Sequence, residues 1–406
     1  MNITNITEGT YQLTMNVENI LFEGIWEIPK GVSLNSYIIK GEKTAIIDGV
    51  CGWDGAPEAM LDLLEQIKVD PKSVEYLIVN HTEPDHSGWI EAMKKINPDS
   101  KIICSKKAAE LLKAFYGEIE NVVCVGDGDS LDLGAGHILN FVEIPNVHWP
   151  DTIATMDVLT QTLFSCDAFG SFGSVTTERY ADMLSEQEQI DYETETIRYY
   201  SNIVASFSGP VKKAVSKCEN LPIKLIAPGH GLIWRNPEKI MKEYQTYADY
   251  QQGPARKEIT LIWGSMYGMT EKAVHHVITT LEKEDIAVHV HQVPKDSWGT
   301  ILTSAWTSTG IILAMPTYEF KMFPPMAAAL EELGKKRVCN RKAFRFGSYG
   351  WSGGAQRDLD EITGRLNMNW EFLEPVEFNG VPKENDFELL DIRVRELVKI
   401  VKEISK

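Results

Sequence analysis

Short apolar runs bounded by turn residues alternate with stretches of helical spacing along most of the chain. Residues 9–13, 35–41 and 44–50 read as strands, rich in β-branched and aromatic side chains. Residues 56–67 carry apolar positions at Met60, Leu63, Leu64 and Ile67, the spacing of one helix face, and lead into Asp70-Pro71. A buried strand follows over 75–80, centred on Tyr76-Leu77-Ile78-Val79, and a helical pattern starts near Gly88. A strand over 101–104, a helix over 108–115 and apolar strands over 139–144, 162–166 and 223–226 continue the alternation. Mixed order of this kind predicts sheets covered by helices, not a helix bundle. The pattern breaks at Gln251-Gln252-Gly253-Pro254-Ala255-Arg256, a linker signal. Beyond it, strands over 258–263, 310–315 and 343–346 alternate with helices, the last over 386–402, which predicts a parallel doubly wound sheet.

Length agrees with that break. A chain of 406 residues exceeds what one core usually fills, so two domains are expected, residues 1–250 and 256–406. The balance of 40 basic against 58 acidic residues gives a net charge of -18. That charge disfavours a nucleic-acid partner or an anionic membrane surface. Six cysteines are scattered without a Cys-x-x-Cys pair, which argues against a disulfide framework and against an iron–sulfur or rubredoxin-type appendage. Reduced thiols fit a cytoplasmic protein. The first residues lack a basic segment followed by an apolar one, so no signal peptide is expected, and no uncharged run is long enough to span a membrane.

The candidate chemistry gathers first at His81-Thr82-Glu83-Pro84-Asp85-His86, at the end of the 75–80 strand. Four potential metal ligands in six residues are too dense for a plain capping loop. Alternation along the loop would throw His81, Glu83 and Asp85 to one side and leave His86 for a second ion. His148, Asp167 and His230 each fall just after a short apolar strand, the same placement as the His81 loop. Of five histidines before residue 250, only His137 lies outside these loops. Four imidazoles and three carboxylates exceed one tetrahedral ion and suit two ions with a bridge. Two divalent ions balance three carboxylates and one hydroxide, leaving a neutral site that a partly buried cavity tolerates. The carboxylate share favours iron or manganese over zinc.

In the second half, three loops follow strand ends. Ser265, Met266, Tyr267, Gly268, Met269 and Thr270 open a helix, and such hydroxyls and backbone amides form an anion site. The loop lacks the lysine of a nucleoside-triphosphate P-loop and the glycine pattern of dinucleotide folds. Pro316, Thr317, Tyr318 and Glu319 follow the second strand, and Ser348, Tyr349, Gly350, Trp351 and Gly353 follow the third.

The first loop resembles the metallo-β-lactamase superfamily, whose hydrolases carry His-x-His-x-Asp-His there. With Glu83 at the second position, and His148, Asp167 and His230 at these separations, the chain resembles the flavodiiron proteins. The resemblance implies a metallo-β-lactamase-like αββα sandwich followed by a flavodoxin-like domain. It implies that His81, Glu83 and His148 hold one iron, that Asp85, His86 and His230 hold the other, and that Asp167 bridges them. It places flavin mononucleotide (FMN) in the second domain, its phosphate at the Ser265–Thr270 loop and its ring against Thr317, Tyr318, Tyr349 and Trp351. Many members have His where this chain has Phe172, and an Asn-rich loop where it has Glu319 and Lys321. Tyr199-Tyr200 matches a family stretch near the metals and equally suits core packing. The implied activity is reduction of O₂ to water, NO to N₂O, or both. Rubredoxin or a reduced deazaflavin would be the donor, and a homodimer or dimer of dimers would place each flavin beside the partner's irons. Alternatives are a zinc hydrolase fused to a flavodoxin-like electron carrier, such a carrier fused to a metal-free interaction domain, and a structural protein without cofactors.

Overall fold

The computed structural model describes residues 2–49, 56–176 and 178–404. The C-terminal end of the strand expected over 44–50, and Cys51, lie outside the described residues. The chain divides into two compact units, Met1–Tyr200 with Gly209–Gln245, and Ser201–Ser208 with Thr246–Lys406.

The first unit is built on a seven-stranded and a five-stranded sheet. In the larger sheet, the antiparallel strands Asn2–Thr7, Thr10–Val17, Val32–Lys40 and Thr44–Ile47 lead into the parallel run Val74–Val79, Lys101–Ser105 and Val122–Val125. Period-2 alternation along these strands feeds two different cores. Ile38, Ile46, Leu77, Ile102 and Cys104 face outward and pack with Met60, Leu63 and Leu64 of the helix Ala56–Gln66 and with Ala108 and Leu112 of the helix Lys106–Tyr116. Their neighbours Ile39, Ile47, Ile78 and Ile103 face the other way and meet Leu139, Phe141, Ile153 and Phe164 of the smaller sheet. Each such fully buried side chain contributes roughly 1.5–3 kcal/mol against exposure. Two sheets share one apolar layer, with helices outside: the αββα sandwich.

The second unit holds one parallel sheet in the order Ala287–Gln292, Arg256–Trp263, Ser308–Ala314, Lys342–Tyr349, Glu371–Phe372. Strand Val376–Asn379 also pairs in parallel with Lys342–Tyr349. One face buries Ala273, Val274 and Val277 of the helix Met269–Leu281 and Leu390, Val394 and Leu397 of the helix Glu384–Ile404. Helices Trp298–Thr307, Pro324–Lys335 and Ala355–Arg365 form the remaining helical layer. The first strand lies between the second and third in chain order, so the order reverses there and the loops after these strands border a crevice. This is the flavodoxin-like arrangement. Among the described residues, no helix is long and apolar enough to cross a membrane.

Candidate metal centre

Asn80 sets the His81 loop in place. Its backbone N–H donates to Asp48 Oδ1 at 2.8 Å, its side-chain amide donates to the Phe164 carbonyl at 3.1 Å, and its Oδ1 accepts from Thr155 at 2.7 Å. One residue thereby ties the end of its own strand to both sheets. The segment beyond does not stay extended, as the alternation argument required. Pro84, whose ring presets a helical φ, starts a helical turn over Pro84–Ser87. Period-2 geometry therefore stops at Glu83. Asp85 leaves the side of His81 and Glu83 and joins His86 and His230 instead.

The result is two sets of ligand atoms meeting at one carboxylate. Asp167 Oδ2 lies 3.4 Å from His81 Nε2 and 3.5 Å from His148 Nε2. Glu83 Oε2 completes that set, 3.3 Å from His81 Nε2 and 3.0 Å from His148 Nε2. Asp167 Oδ1 lies 3.1 Å from His86 Nε2 and 3.1 Å from His230 Nε2. Asp85 Oδ2 completes the second set, 3.6 Å from His86 and 3.4 Å from His230. The structure thus brings together all seven candidates of the first unit.

The electrostatics are those of a site built for cations. Burial opposes charge on the imidazoles, yet the facing carboxylates outweigh it: His81 and His86 are raised, and His230 reaches about 10 through Asp167 and Asp85. Burial alone would raise Glu83, but hydrogen bonds from His148 and His81 hold it down at about 2. Burial would likewise raise Asp167, but the charge of His86 and hydrogen bonds from His230 and His86 hold it well below the carboxylate range. Asp85 Oδ1 and Asp167 Oδ2 are buried without a hydrogen-bond partner, which is costly in an ion-free interior. Orphaned carboxylate oxygens surrounded by imidazoles fit a pair of metal ions.

A second ring of residues aims the ligands. Asp151 lies 3.3 Å from His81 Nδ1 and accepts from the Thr82 backbone and hydroxyl at 2.8 Å each. His230 Nδ1 donates to the Ser33 carbonyl at 3.0 Å. Both contacts turn Nε2 toward the centre. The His230 loop is tied to strand Val32–Lys40 by Tyr37, whose hydroxyl donates to the Pro228 carbonyl at 2.7 Å, and by Asn35, which donates to the Gly231 carbonyl at 2.8 Å. Gly229 is required there, because a Cβ would lie 2.7 Å from His86 Cε1. Tyr199 donates to Asp167 Oδ1 at 3.0 Å, while Tyr200 stacks edge-on with Tyr244, so the two neighbours divide between site and core. Phe172 is buried, 5.1 Å from Tyr199 and 5.6 Å from Phe22 between ring centroids, and so packs behind the two rings that contact His230.

Sequence reading missed Asp151 and Asp48. Asp151 stands three residues after His148, hidden because it orients a ligand and is not one. Asp48 follows strand Thr44–Ile47 and carries the strand-end signal used for the others. It is buried beside His86 and Cys166, and burial pushes it up to about 6.

The second unit's candidates also converge. Thr270 and Ser348 share a hydroxyl hydrogen bond of 2.9 Å, joining the first and third loops. Phe320 and Trp351 meet edge to face at 4.5 Å, joining the second and third. Two local expectations shift. Thr317 and Tyr318 form a small hairpin with Lys321–Met322, and Ser348 and Tyr349 lie within the strand, because pairing with Val376–Asn379 extends it. Gly268 adopts φ 82 before the helix, no side chain caps that terminus, and Ser265 Oγ accepts from the Gly268 N–H at 3.1 Å. Tyr267 is 86% exposed and Trp351 74%, with Met266, Tyr318 and Phe320 exposed beside them. An uncovered aromatic rim over a hydroxyl-and-amide cradle fits a phosphorylated planar ligand such as FMN.

Fold and side-chain clusters together define the class, a metallo-β-lactamase-like unit joined to a flavodoxin-like unit. Comparison with known proteins narrows it. Residues 32–231 match the model of the ODP family beta lactamase. A nitric oxide reductase of Moorella thermoacetica is 33% identical over 362 residues, 88% of either chain. Rubredoxin oxygen:oxidoreductase of Desulfovibrio gigas superposes with a TM-score of 0.91 at 25% identity, over 99% of both chains. A mutant flavo di-iron protein of Thermotoga maritima does so with 0.88 at 29% identity, over 98% of both. The chain belongs to the flavodiiron proteins, a family of oxidoreductases.

Proposed function

We propose that this chain reduces O₂ to water, NO to N₂O, or both, at a diiron centre in its first unit fed by FMN in its second. One observation carries the reading: Asp167 presents one oxygen to His81 and His148, which also face Glu83, and the other to His86 and His230, which also face Asp85. In this reading His81, Glu83 and His148 hold one iron, Asp85, His86 and His230 hold the second, and Asp167 bridges. FMN sits on the Ser265–Thr270 loop, with Thr317, Tyr318, Tyr349 and Trp351 toward its ring. When bound, two ferrous ions and a reduced flavin supply two electrons each, the four that O₂ requires, and two electrons suffice for a pair of NO.

The chain's own residues prepare that chemistry. Asp151 and the Ser33 carbonyl fix the imidazole faces of His81 and His230. Burial pushes Tyr199 well above its ordinary value, so its hydroxyl keeps its proton beside Asp167. Phe22, backed by Phe172, sets an apolar ring against His230, and neither offers a proton, leaving Tyr199 as the hydroxyl beside Asp167. The zinc-hydrolase reading is not favoured, because Glu83 occupies the second position of the motif and the flavodoxin-like unit would have no role.

Electrons reach the chain from a redox partner, for which rubredoxin or a reduced deazaflavin are the candidates. Free cysteines support a cytoplasmic location. The family resemblance supports a homodimer or dimer of dimers with each flavin serving the partner's irons. A mixed dimer tests that arrangement: a chain lacking His81 and His148 is paired with one lacking a working flavin loop. Half the sites then work, and a mass-verified mixed dimer that reduces neither gas refutes it. The central test is anaerobic turnover of O₂ and NO by the reduced, metal-assayed protein with each donor. Stoichiometric zinc without yellow flavin absorbance, after expression with both cofactors supplied, overturns the assignment.

A further inference from the structure

Two cysteines meet away from the metal ligands, in a way that the chain order conceals. Strands Lys101–Ser105 and Val122–Val125 run parallel, and Cys104 pairs in register with Cys124. Register partners of adjacent parallel strands point to one face, about 4.7–4.9 Å apart. That spacing lies inside the window of about 4.4–6.8 Å between Cα atoms that a disulfide spans. Packing fixes the face independently. Ile102 and Cys104 belong to the core beneath the outer helices, and Val122 packs on that same core, whereas Ile103 and Val125 turn to the core between the sheets. Cys124, two residues beyond Val122, therefore projects to the side of Cys104. Cys104 is fully buried, Cys124 is exposed on the sheet's last strand, and both are free thiols.

We propose that Cys104 and Cys124 are a reversible oxidation site, in which a hydroperoxide oxidises the exposed thiol and the buried one closes a cross-strand disulfide. In the first step the Cys124 sulfur attacks the peroxide, the O–O bond breaks, an S–O bond forms and an alcohol or water departs. The product is a sulfenic acid. In the second, the Cys104 sulfur attacks Cys124, the S–O bond breaks, the S–S bond forms, and the hydroxyl leaves with the Cys104 proton as water. Two electrons pass from the sulfurs to one peroxide. The division of labour follows from access: burial pushes the Cys104 thiol up to about 12, with Cys124 and Asp151 adding to the shift, so it stays inert to solvent oxidants. The pair also sits close to the metal centre's scaffold. Ser105, next to Cys104, donates to the Asp151 carbonyl at 2.7 Å, and Asp151 orients His81.

The test treats the full-length, metal-loaded protein with stoichiometric hydrogen peroxide, alkylates it without reduction, counts thiols and maps linked peptides. Two of the six thiols are expected to vanish together, in a peptide joining residues 104 and 124, and to return with dithiothreitol. Cys124→Ser, with five thiols, should keep all five at the same dose. Cys104→Ala should arrest Cys124 as the sulfenic acid, captured by dimedone at least fivefold more than in the parent. Absence of the linked peptide, a disulfide joining two chains, or equal dimedone capture in parent and Cys104→Ala overturns the proposal. If Cys104→Ala does not fold, peptide mapping of the parent against Cys124→Ser decides alone, because that position is exposed.

Discussion

The two candidate sites both lie beyond strand ends, yet they are built in opposite ways. The first draws its chemistry from charged side chains that are buried: His81, His86, His148, His230 and Asp167 are each at most 5% exposed. The second draws on backbone amides, hydroxyls and aromatic rings, and leaves Tyr267 and Trp351 largely uncovered. Buried carboxylates and imidazoles hold each other at a cost in desolvation, and cations complete them. An exposed cradle is already solvated and waits for a ligand to cover it. The first site should therefore respond to loss of charge, and the second to loss of shape.

Removing the carboxylate proposed as the bridge is the sharpest way to break this contrast. Asp167→Ala should lower iron content more than tenfold while flavin stays bound, because both sets of ligands lose the shared carboxylate. Metal analysis beside flavin absorbance reads both, and a variant with normal iron would remove Asp167 from the bridge.

Proton coupling comes next. Without metal, the carboxylates hold His230 up at about 10 from its ordinary 6.5. A raised folded value stabilises the metal-free fold fully below 6.5, and that contribution drains away as pH climbs through about 10. Iron needs the neutral imidazole, so its affinity should move oppositely, rising about tenfold per pH unit for each proton displaced. Loading at pH 7 should release protons in a weakly buffered titration, fewer as pH rises. Proton-neutral loading at pH 7 contradicts this.

Shape should govern the second site. Gly354 sits at φ 145, and a Cβ there would lie 2.0 Å from the Phe320 carbonyl oxygen. Gly354→Ala should displace the Phe320–Trp351 rim and weaken flavin by about 2 kcal/mol, with iron unchanged. Fluorescence titration with FMN measures it, and unaltered affinity would show that the rim does not contact the ring. Thr270→Val should cost least, about 1 kcal/mol or roughly fivefold in flavin affinity, because it deletes one hydroxyl, bonded to Ser348, from a cradle that is mostly backbone. Equal affinity would move the phosphate away from this loop.

Much of this was legible in the chain itself. Strand-then-ligand order at His81, His148, Asp167 and His230 is a local pattern, and hydrophobic periodicity places each after an apolar strand without knowledge of its neighbours. The three loops of the second unit were legible for the same reason. Where local periodicity changed character, the reading failed. Pro84 turns the chain into a helical turn and carries Asp85 from one ligand set to the other. Pairing with Val376–Asn379, more than twenty-five residues away, drew Ser348 and Tyr349 into the strand.

The sequence by itself determined which residue types stand at strand ends, the two kinds of sheet, and the ligand inventory that a diiron pair would need. Only the tertiary structure decided which atoms face each other. Asp167 meets His81 and His230 through sheet order and register, set by packing between segments distant in the chain. The same holds for Asp151 beneath His81, and for Cys104 beside Cys124 across an intervening helix. A side chain's face follows from its own neighbours in sequence, with period 2 in a strand or 3.6 in a helix. Its partner across space follows from how two apolar faces exclude water together, and no single segment carries that information.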